Sequence, residues 1–566
     1  MPKILINEKD NTSPGTPGSY ANYSVLIAGY MGRTPVLTAE ATEDNPADKI
    51  QPDSNGVYEF SSKQDFEDTI GFSEAEKKAG YADITTDVED EVHYGKRMAH
   101  ALLNMGYSII YVPIKSILEA DGITTETFWE LFKDKASYDF RFISHGLLET
   151  NYDKTEYDGL VARLKEIESD VKKLDEITNK AMAAAKVAGT DWDKLDQAGK
   201  DELCDIVYQT VIKSTENEGE GYKGFIDPIT GKSHTTYAGA KTDYAKNTDG
   251  VISELFKQEG KIADADAASV TPGTINTVNG HIAKLASYRT DDKGVVLCGG
   301  RGDCVALIEL YESCYVASTK AKKPENLIIE GIQGMSSSIG DEGAYCAMTV
   351  PSVYYKMSDS TAKFPGAFHY LACFMSSLGA GFAEWYAAAG YTRGVSSYTI
   401  DHTSVKLGEI AINALEPRYI VDQSSQPPFA CNVIANFRGS YYLWGNRTAH
   451  KLQEEKAGGD LVASHFLNIR QLCSTIKKQI YVACRRFTFD PNSDTLWFNF
   501  VNAITPTLDL MKADQGVRDY RVLKVFTDKK ATLKAKIRII PIEAVEDFDI
   551  EVSLEDSFGG VSVAAN

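Results

Sequence analysis

Cysteine is scarce and odd in number, nine in 566 residues, and no CxxC pair occurs. A disulfide-stapled scaffold is therefore excluded. Cys204, Cys298, Cys304, Cys314, Cys346, Cys373, Cys431, Cys473 and Cys484 lie mostly in apolar runs and read as reduced, buried thiols. The CGGRGDC turn between Cys298 and Cys304 offers half of a zinc site with nothing at usable spacing to complete it, so no metal or other cofactor is expected. Histidine is also sparse, nine residues. His369, His402, His450 and His465 lack a carboxylate or cysteine at a catalytic offset, and no GxSxG elbow is present, so no enzyme motif stands out.

Long apolar runs are missing too. The opening MPKILINEKD has no stretch of the roughly 7 to 15 apolar residues that a secretory signal needs, which predicts folding in a cytoplasm. The least polar segment, 368–390, is broken by His369, Ser376, Ser377 and Glu384, so no membrane insertion is expected. Cations are in deficit, with 59 Lys and Arg against 80 Asp and Glu and a net charge of −21, which disfavours nucleic acid and anionic lipid as partners. Phosphate loops are lacking as well. GKS at 231–233 has Ile226 where the leading glycine belongs, and GIQGMSSSIG at 331–340 lacks GxGxxG spacing and reads as a flexible loop.

What the chain does have is core material, 43% hydrophobic and 25% charged. At about 150 residues per domain, three or four folding units are expected. Residues 1–22, with Pro2, Pro14, Gly15, Pro17 and Gly18, read as an extended arm. Strands are predicted at 23–30 and 57–60, a helix at 62–70, a second helix at 91–105 and a buried strand in YSIIYVPI. From 152 to 211 the pattern turns to long helices with a stripe of Leu160, Leu164, Ile167, Val171, Leu174 and Ile177, a helical hairpin. Loop-rich sequence follows to 277, and 150–290 reads as one insertion. Strands are expected to return at 294–297 and 327–330, around a helix that starts at Cys304 with Asp303 as its cap.

Toward the C-terminus, apolar residues from Val462 to Ile480 recur every three or four positions, predicting an amphipathic helix that exposes Arg470, Lys477 and Lys478. A second helix spans 496–511 with Trp497, Phe500, Ile504, Leu508 and Met511 inward, and Pro506 should kink it. Beyond it, Leu533, Ala535, Ile537 and Ile539 alternate with Lys534, Lys536 and Arg538. Farther on, Phe548, Ile550, Val552 and Leu554 alternate with Asp549, Glu551, Ser553 and Glu555. Both have the period of half-buried strands, one with a cationic outer row and one with an anionic row, so pairing between unlike strands is favoured over self-pairing. Pro541 between them disfavours a tight hairpin. The basic stretch 518–538 is expected to face the acidic strand of a neighbouring subunit.

Several whole segments resemble the contractile tail sheath family of phages and related injection machines. They are YSVLIAGYMGRTP after the Pro/Gly-rich arm, EFSSKQDFEDTIG, HYGKRMAHALLNMGYSIIYVPI, RGDCVALIEL, GAYCAMTVPSVYY and NVIANFRGSYYLWGNRTA. The match continues through FLNIRQLCSTIKKQIYVACRRFTFDPNSDTLWFNFVNAITPTL, DYRVLKV and KIRIIPIEAVEDFDIEV. Arg470-Gln471 stands where the family usually has paired arginines, and Ile476-Lys477 where it has Ile-Glu. The resemblance implies a multidomain α+β and α/β chain. Its expected parts are an arm at 1–22, an outer mixed domain at 23–149 and 291–430 carrying the insertion, an inner C-terminal domain at 431–546, and a final strand and arm at 547–566. It implies a non-enzymatic subunit that polymerises around an inner tail tube protein, meets baseplate and tail terminator proteins, and contracts to drive the tube through a bacterial envelope for genome ejection. Assembly in the host cytoplasm into a virion tail sheath is expected, with a phage-derived injection particle as the alternative and an α/β enzyme as the less favoured one. Strand donation is expected from Phe548, Ile550, Val552 and Leu554 and from Ile4 and Ile6, onto an acceptor or charged interface at Lys534, Lys536, Ile537, Arg538 and Ile539. The helix bearing Arg470, Lys477 and Lys478 is the candidate to face the tube.

Overall fold

The computed structural model describes residues 23–29, 53, 56–70, 94–113, 138–145, 154–216, 225–226, 233–234, 236–242, 273–287, 303–310, 315, 323–356, 361–416, 427–451, 462–528 and 532–544. In chain order the elements are β1 (Ser24–Gly29), β2 (Tyr58–Phe60), α1 (Lys63–Thr69), α2 (Tyr94–Asn104), β3 (Ser108–Pro113), β4 (Phe142–His145), α3 (Lys154–Val187), α4 (Gln197–Glu216), β5 (Phe225–Ile226), β6 (Ser233–His234) and α5 (Gly273–Ser287). There follow β7 (Val305–Ile308), α6 (Pro324–Ile339), β8 (Cys346–Val350), β9 (Val353–Lys356), β10 (Thr361–Phe364), α7 (Gly366–Gly379), α8 (Gly390–Arg393), β11 (Ile400–Thr403) and α9 (Glu409–Leu415). The last are β12 (Asn432–Phe437), β13 (Ser440–Trp444), α10 (Leu467–Arg486), α11 (Asp494–Ala513), β14 (Val517–Val525) and β15 (Lys534–Pro541).

Eight strands form one sheet in the order β13-β12-β8-β7-β4-β1-β3-β2. The inner six run parallel, and β13 and β2 close the edges antiparallel. Short hydrophobic strands explain this arrangement, because a parallel sheet buries both faces and so needs apolar side chains at every position. Alternate residues divide between two cores. Leu26, Ile143, Ala306 and Ile308 pack under α5, α6 and α9 on one face. Val25, Ile27, Phe142, Val305 and Leu307 pack under α1, α2 and α7 on the other, which also receives the antiparallel sheet β10-β9-β11. Helices on both faces make the body a doubly wound α/β layer.

Several expectations need correction. Residues 305–308 form the buried strand β7 where a helix was expected, since Val-Ala-Leu-Ile in the centre of a parallel sheet reads equally as a buried helical turn. Conversely, 327–330 lies inside α6, and so does much of the Gly-rich stretch expected to be a flexible loop; Ile328, Ile332, Met335 and Ile339 recur at helical spacing on its buried side. Helix α5 packs Ile282, Ala283, Leu285 and Ala286 into the core of the sheet and so belongs to the body, although it falls within 150–290. Strands β12 and β13 likewise belong to the eight-stranded sheet, although they follow residue 430.

The hairpin of α3 and α4 forms as the heptads predict, burying Leu174, Ile177, Ala181 and Ala185 against Cys204 and Tyr208, with Thr178 Oγ1 2.6 Å from the Tyr237 hydroxyl. The side chains of Leu160, Leu164, Ile167 and Val171, the expected strand at 294–297, and residues 1–22 and 545–566 lie outside the described residues.

Candidate functional site

The C-terminal unit is built from two 20-residue helices, α10 and α11, over the two-stranded ribbon β14–β15. Ser493 caps α11 by accepting a hydrogen bond from Leu496 N at 3.3 Å. Pro506 sits inside this helix without ending it; both it and Asn502, whose carbonyl loses its helical donor, lie on the exposed side. In the ribbon Tyr520 pairs with Ile539, Val522 with Ile537 and Lys524 with Ala535, all on the side toward the helices. Arg521 pairs with Arg538, Leu523 with Lys536 and Val525 with Lys534 on the opposite side.

Two features leave this unit open among the described residues. Helices about 10 Å across, set side by side, span about 20 Å, whereas two strands at 4.7 to 4.9 Å spacing cover roughly half of that. The inward row is accordingly only half-buried at Val522, Ala535, Ile537 and Ile539, as are Ile480 and Val501 on the helices. A cavity of about 200 Å³ remains at the helix seam, lined by Ile476, Ile480, Ala483, Ile504 and Leu508. Among the described residues, neither ribbon edge is paired to a third strand.

Behind the ribbon, α10 uses a second face, which is polar and buried. It lies across the starts of β4 and β7. Arg141, just before β4, donates Nε–H to Gln471 Oε1 at 3.0 Å and also binds Glu384 and the Thr475 hydroxyl, which itself donates to Glu384. Burial opposes the charge on Arg141, but the Glu384 carboxylate outweighs it and raises the guanidinium above its usual range. Lys478 donates to Asp139 Oδ1 at 3.0 Å and to the Phe140 carbonyl at 2.8 Å; burial lowers its pKa and Asp139 opposes that. Lys477 pairs with the buried Asp303 at 3.3 Å, and Arg470 lies 4.2 Å from the centre of the Tyr345 ring. On the flank, Trp385 donates its indole N–H to the Asp514 carbonyl at 2.9 Å, and a Cβ on Gly516 would meet the indole at 2.8 Å.

This geometry overturns the exposed position expected for Lys478, which is 2% exposed; Arg470 and Lys477 are half-buried, Lys477 held by Asp303 and Arg470 over the Tyr345 ring. Asp303 is an ion-pair partner and not a helix cap. The ribbon residues Lys534, Lys536, Ile537, Arg538 and Ile539 do fall on one strand with the predicted alternation. Ile4, Ile6, Phe548, Ile550, Val552 and Leu554 lie outside the described residues. Reading the sequence alone missed Arg141, Glu384, Gln471 and Thr475. The available signal was Gln471, Ser474, Thr475 and Lys478 recurring at helical spacing beside the apolar stripe, a second buried stripe in polar disguise.

At the opposite ends of the strands, the crevice where doubly wound folds hold ligands is crossed by Asn279. Its Oδ1 accepts from Glu309 N at 3.2 Å and lies 2.9 Å from His145 Nε2, while its amide donates to the Glu309 carbonyl at 2.7 Å. Among the described residues, no group of three or more His, Cys, Asp or Glu is placed to hold a metal, and no helix is long and apolar enough to cross a membrane.

No protein-family model and no curated protein matches the chain. Solved structures similar to it at low identity include three. One is the anti-feeding prophage baseplate, 6-fold symmetrised, at 16% identity and TM-score 0.33 over 50% of this chain and 66% of that one. Another is the PVC sheath complex of an extracellular contractile injection system, at 14% and 0.35 over 49% and 68%. The third is the anti-feeding prophage helical sheath, at 11% and 0.46 over 98% and 99%. Two of the three are sheaths in the contracted state.

Proposed function

We propose that the chain is a structural subunit of a contractile sheath, polymerising with copies of itself around an inner tube. The observation that carries this reading is the C-terminal unit, a two-strand ribbon under a helix pair wide enough for about four strands, with neither edge paired among the described residues. Such a unit is completed by strands from elsewhere, as in β-augmentation. The alternating sequence of 548–555 and the arm with Ile4 and Ile6 have the pattern to fill it. Donation from one subunit to the next is heterologous and propagates as rings or a helix. Burying Phe548, Ile550, Val552 and Leu554 contributes about 6 to 12 kcal/mol at about 1.5 to 3 each, against about 4 to 15 kcal/mol of lost rigid-body freedom, so both termini and further surfaces must contribute.

Contraction follows if strand links persist while the subunit bodies rotate, with the extended form held by a barrier. Tube, baseplate and terminator proteins are the partners this role requires, in a phage tail or in an injection particle derived from one. The α/β enzyme reading rests on the doubly wound body alone. Sedimentation separates the two: long tubes support the sheath, a discrete particle the enzyme. Deleting residues 1–20, or everything after Glu546, should leave soluble subunits; normal tubes from either truncation would sink strand donation.

A further inference from the structure

The C-terminal unit holds two aromatic rings in water at one end. Helix α10 meets the body with its first half, through Gln471, Thr475 and Lys478, while Arg485 and Arg486 in its last turn are exposed. In the turn from α10 to α11, Phe489 is 93% exposed and has a φ of 77°, a left-handed backbone that glycine adopts freely and a phenylalanine adopts at a cost. Phe526, which lines a cavity together with Asn492 and Ser493 of the same turn, is 89% exposed. Neither ring is buried by the subunit that carries it, and apolar surface gathered in one place marks a contact. The same unit also holds a socket. The seam cavity of about 200 Å³ has an aliphatic floor and, at its mouth, Gln479, Val482, Arg486, Ala503 and Thr507. Val482 and Arg486 follow Lys478 at successive helical turns, so the mouth opens on the flank of the helix pair where α10 passes beyond the body. An aliphatic cavity of about 150 Å³ takes up a benzene ring, so a phenyl group fits this one.

We propose that Phe489 of one copy seats in the seam cavity of a second copy of this chain, end against flank. This rests on the reading of the chain as a polymerising subunit, and it supplies one of the further surfaces which that reading requires. Charge agrees with size: Asp490 follows the ring, Arg486 stands at the mouth of the cavity, and both are exposed. Ring and cavity are different patches of one molecule. Each copy can therefore fill one neighbour and be filled by another, a heterologous contact that propagates in one direction.

Two substitutions in the full-length chain test the contact from its two sides. Phe489→Gly is expected to raise the urea midpoint of the subunit, since it relieves the left-handed backbone and gives up no buried contact, and yet to raise the threshold concentration for pelletable tubes roughly 10- to 100-fold. Ala503→Trp, which blocks the mouth from an exposed helical position, is expected to leave the midpoint unchanged and raise the threshold by a similar factor. Together they should raise it no further than either does alone, because both remove the same contact. A photoreactive benzoylphenylalanine at position 489, in tubes grown from equal amounts of ordinary and 15N-labelled chains, should cross-link to peptides holding 476–486 or 503–508, with mixed-isotope adducts. Adducts within one copy or to other segments, an unchanged threshold with Phe489→Gly, or multiplying effects in the double variant would each overturn the seating while wild-type tubes leave the sheath reading standing. A wild-type chain that forms no tubes at any concentration would sink that reading and this contact with it.

Discussion

The sheet body and the C-terminal unit use similar elements and reach opposite ends. In the body, eight strands are covered on both faces, and residues such as Val25, Ile143, Leu307 and Phe368 are wholly buried. In the C-terminal unit two strands lie under two long helices, and side chains of the same kinds, Val522, Ile537 and Ile539, stay half-exposed. The body's sheet is covered on both faces; under the proposed function, the unit is the part that another copy completes. The two are joined by hydrogen-bonded ions where a packed protein would ordinarily use oil. Such a joint contributes little net stability over an apolar one, but it fixes one relative placement, because each donor must meet its acceptor.

The contrast can be broken at defined places. The largest effects are expected in the body and at the joint. Phe368→Ala should cost about 3 to 5 kcal/mol in urea unfolding of the subunit. Arg141→Ala should cost about 3 to 5 kcal/mol, because Glu384 is left buried without its partner, and pairing it with Glu384→Ala should restore part of that loss. A double-mutant cycle on these two positions measures the coupling directly. Ile537→Ala should cost the isolated subunit only about 1 kcal/mol or less, well below a core truncation, yet should abolish or strongly weaken tube assembly. A loss as large as that of Phe368→Ala would mean that the ribbon is already covered.

The body carries a pH effect of its own. Burial pushes the Glu309 carboxyl up to about 8, against the opposing pull of the Ala367 backbone N–H. The folded state then holds a proton that the unfolded chain releases near its ordinary value of 4.5, so stability falls as pH rises from about 4.5 to about 8 and levels off above that. Glu309→Gln should flatten that part of the pH profile of urea unfolding. At the small end, Phe489→Ser should change subunit stability by no more than about 0.5 kcal/mol, since the ring is 93% exposed; differential scanning calorimetry checks this.

Periodicity made the ribbon legible. Lys534 to Ile539 alternates because one face meets helices and the other meets water, and a period of two has no other simple origin. The helices α2, α3, α10 and α11 were legible for the same reason. Short apolar runs were not. Val305 to Ile308 and Leu327 to Glu330 exchanged identities between helix and strand, because a continuous apolar run carries no period to read. The polar joint was hidden for a different cause: Lys477 and Lys478 are charged, and charge in a single sequence reads as surface until Asp139 and Asp303, more than 170 positions earlier, are seen beside them. Distant partners of this kind leave no local pattern.

The position of α10 across the beginnings of β4 and β7 has a mechanical consequence. Each of these strands is flanked on both sides within the sheet, β4 by β1 and β7, and β7 by β4 and β8. A pull on the helix directed along the strands would load rows of backbone bonds in shear, so that they must yield together and not one after another. A tug on the ribbon would thus reach the stiffest section of the molecule first, and its edges last.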